Sequence, residues 1–144
     1  MTTIAYRDGI LAADTLITAG NIRCGTETKI KARGPLLYGS CGSCGLTDKV
    51  EAWIRAGMIG DRPPLKSGEA TGSVFVFMPD DKIVWMHEDG DTVLTAPYWA
   101  AGSGEKFALG AMAHGASAED AVRAAIVHDT GSGGSVTVLR RQTA

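Results

Sequence analysis

Apolar residues in the first third of this chain come in short runs, each closed by Gly, Asp or a Gly-rich turn, and no long helical period separates them. Thr2 to Tyr6 is a short β-branched run, and Arg7-Asp8-Gly9 follows with Gly where a tight hairpin wants positive φ. Ile10-Leu11-Ala12-Ala13 is the returning strand and stops abruptly at Asp14. Ile22–Cys24 and Lys29–Ala32 are expected to make another hairpin. Leu36-Leu37-Tyr38-Gly39-Ser40-Cys41 reads as a buried strand entering a Gly-rich turn.

The period changes at Thr47, which is expected to cap a helix with Val50, Trp53, Ile54 and Met58 at helical spacing, halted by Gly60 and Pro63-Pro64. Ser73–Met78, the turn Pro79-Asp80-Asp81 and Lys82–Met86 form a plain hairpin, Glu88–Asp91 turns the chain, and Tyr98–Ala101 is one more short strand. Two helices follow. Glu105–His114 carries Phe107, Ala108, Ala111 and Met112 on one face, with Gly115 just past its end. Ser117, with Asp120 three residues on, opens a helix that buries Val122, Ala125 and Ile126 and ends near His128. Gly133-Gly134 leads into a closing strand, Ser135–Leu139. Strands, helix, strands, two helices, strand: this order lacks βαβ alternation. It predicts an α+β fold with mainly antiparallel sheet, a layered sandwich with helices over sheet faces, and one domain over residues 1–144.

Composition narrows the function. The chain has 144 residues, 44% apolar and 21% charged, with a formal net charge of -2. That is a globular balance, without the basic excess that a nucleic-acid partner asks for. No apolar run approaches the ~20 residues of a membrane span, and Met1–Arg7 has neither the basic nor the apolar part of a signal peptide. Three cysteines cannot all pair, which argues against a secreted disulfide framework and for a cytoplasmic protein.

Several residues have chemical potential. Thr2 is the first. If Met1 is removed, Thr2 carries its own general base, an α-amine with a reference pKa of about 7.7–8.0. Asp14, ending an apolar strand, needs a partner if buried, and Lys29 is a candidate. A lysine near Thr2 would disfavour protonation of the amine. The segment Gly39-Ser40-Cys41-Gly42-Ser43-Cys44-Gly45 can bring backbone N–H groups to a developing oxyanion. Its Cys41-x-x-Cys44 also admits a redox pair or half a zinc site. No second such pair exists, however, and His87, His114 and His128 are scattered. No metal or cofactor is expected, and no Gly cluster ends in Gly-Lys-Ser/Thr.

Taken together these stretches resemble the β-subunits of the proteasome and the bacterial HslV peptidase. The resemblance spans most of the chain: Thr2-Thr3-Ile4 with Gly9–Asp14, Thr18–Asn21, Thr28-Lys29-Ile30, Gly39–Gly42, Gly102-Ser103-Gly104 before a helix, and Asp129–Gly134 after one. It implies a four-layer αββα sandwich and a threonine-type endopeptidase, an N-terminal-nucleophile hydrolase, with Thr2 as nucleophile. Lys29 would tune the amine, Asp14 would orient Lys29, the Gly42 N–H would hold the oxyanion, and Ser103, Asp129 and Ser132 would form the polar shell. Thr18 and Gly42 would pair with an extended substrate, while Ile17, Glu27, Ser40 and Cys44 would line the first specificity pocket. Lys31, two residues on along the same strand face, is the rival to Lys29. The implied substrate is a peptide or unfolded protein, in a homo-oligomeric ring that an ATPase unfoldase can serve.

Two departures are plain. The family's second long helix has only the short, Pro-broken stretch from Met58 to Thr71 in its place. Its arginine after the aspartate is replaced by Thr15-Leu16-Ile17. Two further readings of the same fold are an N-terminal-nucleophile amidase acting on a small amide and an inactive structural ring subunit that keeps Met1.

Overall fold

The computed structural model describes residues 1–142. Strands β1 (Thr3–Arg7) and β2 (Ile10–Ala13) form the expected opening hairpin. Asp8 and Gly9 both sit at positive φ, 54° and 74°, the geometry that matches the twist of a two-residue hairpin. This pair is the centre of a four-stranded sheet, with β11 (Tyr98–Gly102) beside β1 and β12 (Thr137–Arg140) beside β2.

A second sheet runs β10 (Gly90–Thr95), β9 (Lys82–His87), β8 (Ala70–Phe77), β6 (Leu36–Gly42), β5 (Ile30–Arg33), with the two-residue β7 (Lys66–Ser67) on β8. The remaining strands, β3 (Leu16–Ala19) and β4 (Ile22–Thr26), pair only with each other. Among the described residues every strand pair is antiparallel.

The period of two decides what each sheet face covers. Ile4, Tyr6, Leu11 and Ala13 of the first sheet meet Ile30, Leu37, Phe75, Phe77 and Ile83 of the second in one cluster between the sheets. Ala5, Ala12 and Ala100 point the other way, onto α2 (Glu105–Ala113) and α3 (Ala118–His128) through Ala108, Met112, Ala118, Ala121 and Val122. Small alanines let these helices approach closely. On the second sheet Tyr38, Val74, Val76 and Met86 face α1 (Cys44–Arg55) through Leu46, Val50 and Ile54. Each fully buried Ile, Leu or Phe contributes about 1.5–3 kcal/mol. The fold is thus mixed α/β, three helices on two principal sheets, compatible with a proteasome-like architecture.

Several local expectations are corrected. Ile22–Cys24 and Lys29–Ala32 do not pair: β4 returns on β3, and β5 pairs with β6. Helix α1 starts one turn before Thr47, with Ser43 at the N-cap position, and Thr47 is buried inside its first turn. It ends at Arg55, before Gly60, because Gly57 and Met58 turn to positive φ (104° and 57°). Between Arg55 and Pro79 the described chain has no helix. Strand β10, polar and exposed along most of its length, gave no alternation to read. Phe107 is 43% exposed against the His128 ring rather than buried, and Ile126 is only half-buried.

Candidate active site

Strand ends from both sheets converge on the first residues of the chain. Thr2 precedes β1, Asp14 follows β2, Lys29 precedes β5, Ser103 follows β11, and Asp129 and Ser132 follow α3. Asp14 is fully buried and satisfied by four donated hydrogen bonds. Lys29 Nζ reaches both its oxygens at 3.0 and 3.1 Å, Thr3 N–H its Oδ1 at 3.0 Å, and Gly133 N–H its Oδ2 at 3.0 Å. A buried carboxylate tolerates desolvation only with this kind of complete partnering. Lys29 Nζ also donates to the Met1 carbonyl at 2.8 Å.

The other side of the site is organised by Asp129. It accepts Ser103 Oγ at 2.7 Å, the Ser132 hydroxyl, and Gly131 N–H at 3.4 Å. Burial pushes this carboxyl up, but the hydrogen bonds from Ser132, Ser103 and Gly131 and the charge of the terminal amine outweigh it and hold the pKa below the ordinary value. Thr2 N–H donates to Ser103 Oγ at 3.2 Å. Ser103 Oγ also lies 3.3 Å from Thr2 O. Its single proton goes to the nearer, charged carboxylate. Thr3 Oγ1 and Ser132 Oγ are 2.7 Å apart, tying β1 to the loop after α3. Gly102 has no room for a side chain, since a Cβ there would collide with the Thr2 carbonyl.

A cavity of about 520 Å³ opens beside Thr2 and Lys29. Ile17, Thr18, Glu27, Ser40, Gly42 and Cys44 all line it. The structure therefore gathers Thr2, Asp14, Lys29, Ser103, Asp129 and Ser132 in one hydrogen-bonded neighbourhood and Ile17, Thr18, Glu27, Ser40, Gly42 and Cys44 around one cavity. Lys31, also on the cavity wall, pairs with Glu51 at 2.8 Å and not with Asp14.

Thr3, Glu51, Thr47 and Asp48 were not anticipated. Thr3 is hidden by its neighbour's more obvious chemistry. Cys44, Thr47, Asp48 and Glu51 form an i, i+3, i+4, i+7 stripe of α1, a signal available once the true helix start is known.

Cys41 also lines the cavity, but burial first, and then the charge of Glu105, push its thiol up to about 11 against the opposing charge of the terminal amine. The thiolate is scarce at neutral pH, so Cys41 is a poor nucleophile. All three cysteines are free. Among the described residues no group of three or more His, Cys, Asp and Glu side chains is placed to hold a metal, and no helix is long and apolar enough to cross a membrane.

No protein-family model matches the sequence, and no curated protein gives a significant match. Solved structures do resemble it. BPH of Thiobacillus denitrificans in complex with epoxomicin aligns at a TM-score of 0.66 with 22% identity, over 99% of both chains. A second structure of the same BPH gives 0.63 and 21%, again over 99% of both. At such identities the likeness is one of fold.

Proposed function

We propose that this chain is a threonine-type N-terminal-nucleophile peptidase of the proteasome-like kind, with Thr2 as nucleophile once whatever precedes it is removed. One observation carries the reading. Two separate hydrogen-bonded chains end on the two sides of a single peptide link, Met1–Thr2. Asp129 and Ser103 hold its N–H, while Asp14 and Lys29 hold its carbonyl. Cleaving that link leaves a free amine on Ser103 and a lysine beside the new terminus.

The chemistry then follows from the positions. The Thr2 amine, with a reference pKa of about 7.7–8.0, is kept neutral by the neighbouring Lys29 cation and takes the Oγ proton. Oγ attacks the substrate carbonyl, and the Gly42 N–H stabilises the oxyanion. The protonated amine gives its proton to the leaving amine as the C–N bond breaks, leaving an ester on Thr2. Water, deprotonated by the same amine, releases the product. The order α1, sheet, sheet, then α2 with α3 supports the αββα sandwich that accompanies this reading. The complex of the similarly folded BPH with epoxomicin supports it as well. A peptide or unfolded-protein substrate, a homo-oligomeric ring, an ATPase partner and a cytoplasmic setting belong to the same proposal.

A second reading, an inactive structural subunit, is favoured by the seating of Met1. Its side chain lies against Gly131. One measurement separates the two: intact mass spectrometry before and after epoxomicin, on wild type and Thr2→Ala. The peptidase reading expects loss of Met1 and a single adduct that is absent from the variant. An active preparation that retains Met1, or an adduct on Cys41 or Cys44, overturns it.

A further inference from the structure

We infer that the cavity beside Thr2 selects substrates with a basic side chain, Lys or Arg, on the acyl side of the cleaved bond. The inference rests on the peptidase reading above. Five acidic or basic side chains of Asp, Glu and Lys line the cavity: Glu27, Lys29, Lys31, Asp48 and Glu51. Lys29 is paired with the buried Asp14 and Lys31 with Glu51. Glu27 and Asp48 remain, both exposed, and neither forms a salt bridge among the described residues. Once those pairings are made, the wall carries two uncompensated negative charges.

The opposing influence is the N-terminus of α1, where Cys44 lines the same cavity. A helix end amounts to about half a positive charge, which two whole carboxylates outweigh.

Lys31 does not rescue an acidic substrate. Its partner Glu51 is nearly inaccessible, its side chain 3% exposed, and also accepts Ser40 Oγ at 3.3 Å. An incoming carboxylate that captured Lys31 would strand a buried charge, which is strongly unfavourable. A basic side chain leaves the Lys31–Glu51 pair intact and meets Glu27 and Asp48.

An exposed charge pair is worth about twofold in affinity. Changing a basic for an acidic side chain removes two attractions and adds two repulsions, which compounds to more than about tenfold. The test is a series of fluorogenic peptide amides identical except for Arg, Leu or Glu at the residue before the cleaved bond. For wild type we expect kcat/KM in the order Arg, Leu, Glu, with Arg over Glu by more than about tenfold, and the ratio shrinking as salt is raised. In the double variant Glu27→Gln, Asp48→Asn the two substrates should fall within about threefold of each other. Equal or reversed rates in wild type, or a preference unchanged in the double variant or by salt, overturn the selectivity and leave the peptidase standing. No cleavage of any peptide, together with no epoxomicin adduct on Thr2, removes both.

Discussion

The chemistry proposed at Thr2 rests on two carboxylates that do different work. Asp14 is closed off and fixed, its charge answered by Lys29. Asp129 is reachable and gathers hydroxyls. Because Asp129 titrates below its unfolded value, its stabilising contribution is present above the ordinary carboxylate range. That contribution fades as pH falls through the depressed value. On the proposed mechanism, the acid limb of peptide hydrolysis is expected from the Thr2 amine and not from Asp129. Asp129→Asn should lower kcat/KM by about 100-fold and keep that limb, moved toward acid because a neighbouring negative charge has gone. A pH profile in which the limb disappears in the variant would reassign it to Asp129. Asp14 was legible from the sequence because it closes an apolar run, where a carboxylate needs a partner, and Thr2 because removal of Met1 gives it its own amine; Lys29 followed as the candidate partner of Asp14 and from the family resemblance. Thr3 and Glu51 were not. Their roles come from partners 129 and 20 positions away, Ser132 and Lys31, which no local pattern indicates.

Individual elements were legible where hydrophobic alternation and turn chemistry agreed, as in the β1–β2 hairpin around Asp8-Gly9. They were not where pairing is settled by the second sheet. The segments Ile22–Cys24 and Lys29–Ala32 each look like half a hairpin, yet the loop between them lets β5 join β6. The same β6 ends at Gly42, which shows what a single element demands of its neighbour. Gly42 has φ +98°, and a Cβ there would stand 2.7 Å from Thr71 O and 2.8 Å from Gly72 Cα. This β8 backbone cannot yield without opening the β6–β8 ladder at the proposed oxyanion donor. At Gly72 φ is ordinary, and the close atom is the Thr47 methyl at 2.7 Å, a side chain with some freedom. We expect Gly42→Ala to cost about 1–3 kcal/mol in stability and to slow adduct formation at Thr2, with Gly72→Ala milder in both. Thermal denaturation and adduct rates compare the pair. Equal costs would mean that backbone collision is not what keeps Gly42 a glycine.

For the molecule as a whole, the question is what closes the gap between the two sheets at the end away from Thr2. There the chain returns as Arg141, whose N–H donates to Gly9 O at 2.8 Å on the hairpin turn. Its guanidinium donates to the carbonyls of Pro35 (3.1 Å), Phe77 (3.0 Å) and Met78 (2.9 Å) and to Tyr6 Oη (3.0 Å). It lies over the Tyr6 ring, which is itself stacked on Phe77 at 4.6 Å. Tyr6 in turn donates to Asp81 at 3.1 Å, and burial above all raises its pKa. One planar group thus ties β1 of the first sheet to the β5–β6 turn and the end of β8 in the second. Truncation would leave several partly buried acceptors unmet, a cost of about 2 kcal/mol, or a melting temperature lower by about 6 °C for a chain of this size. Lysine should recover little of this, because it cannot present donors in the same plane to acceptors on both sheets. Thr2 stands at the opposite end of β1 from the hairpin turn that Arg141 holds. Below the unfolding transition, Arg141→Ala and Arg141→Lys should therefore react with epoxomicin at the wild-type rate. Calorimetry with adduct kinetics reads both halves, and an Arg141→Lys variant as stable as wild type would show that the charge alone, and not the planar fork, joins the two sheets.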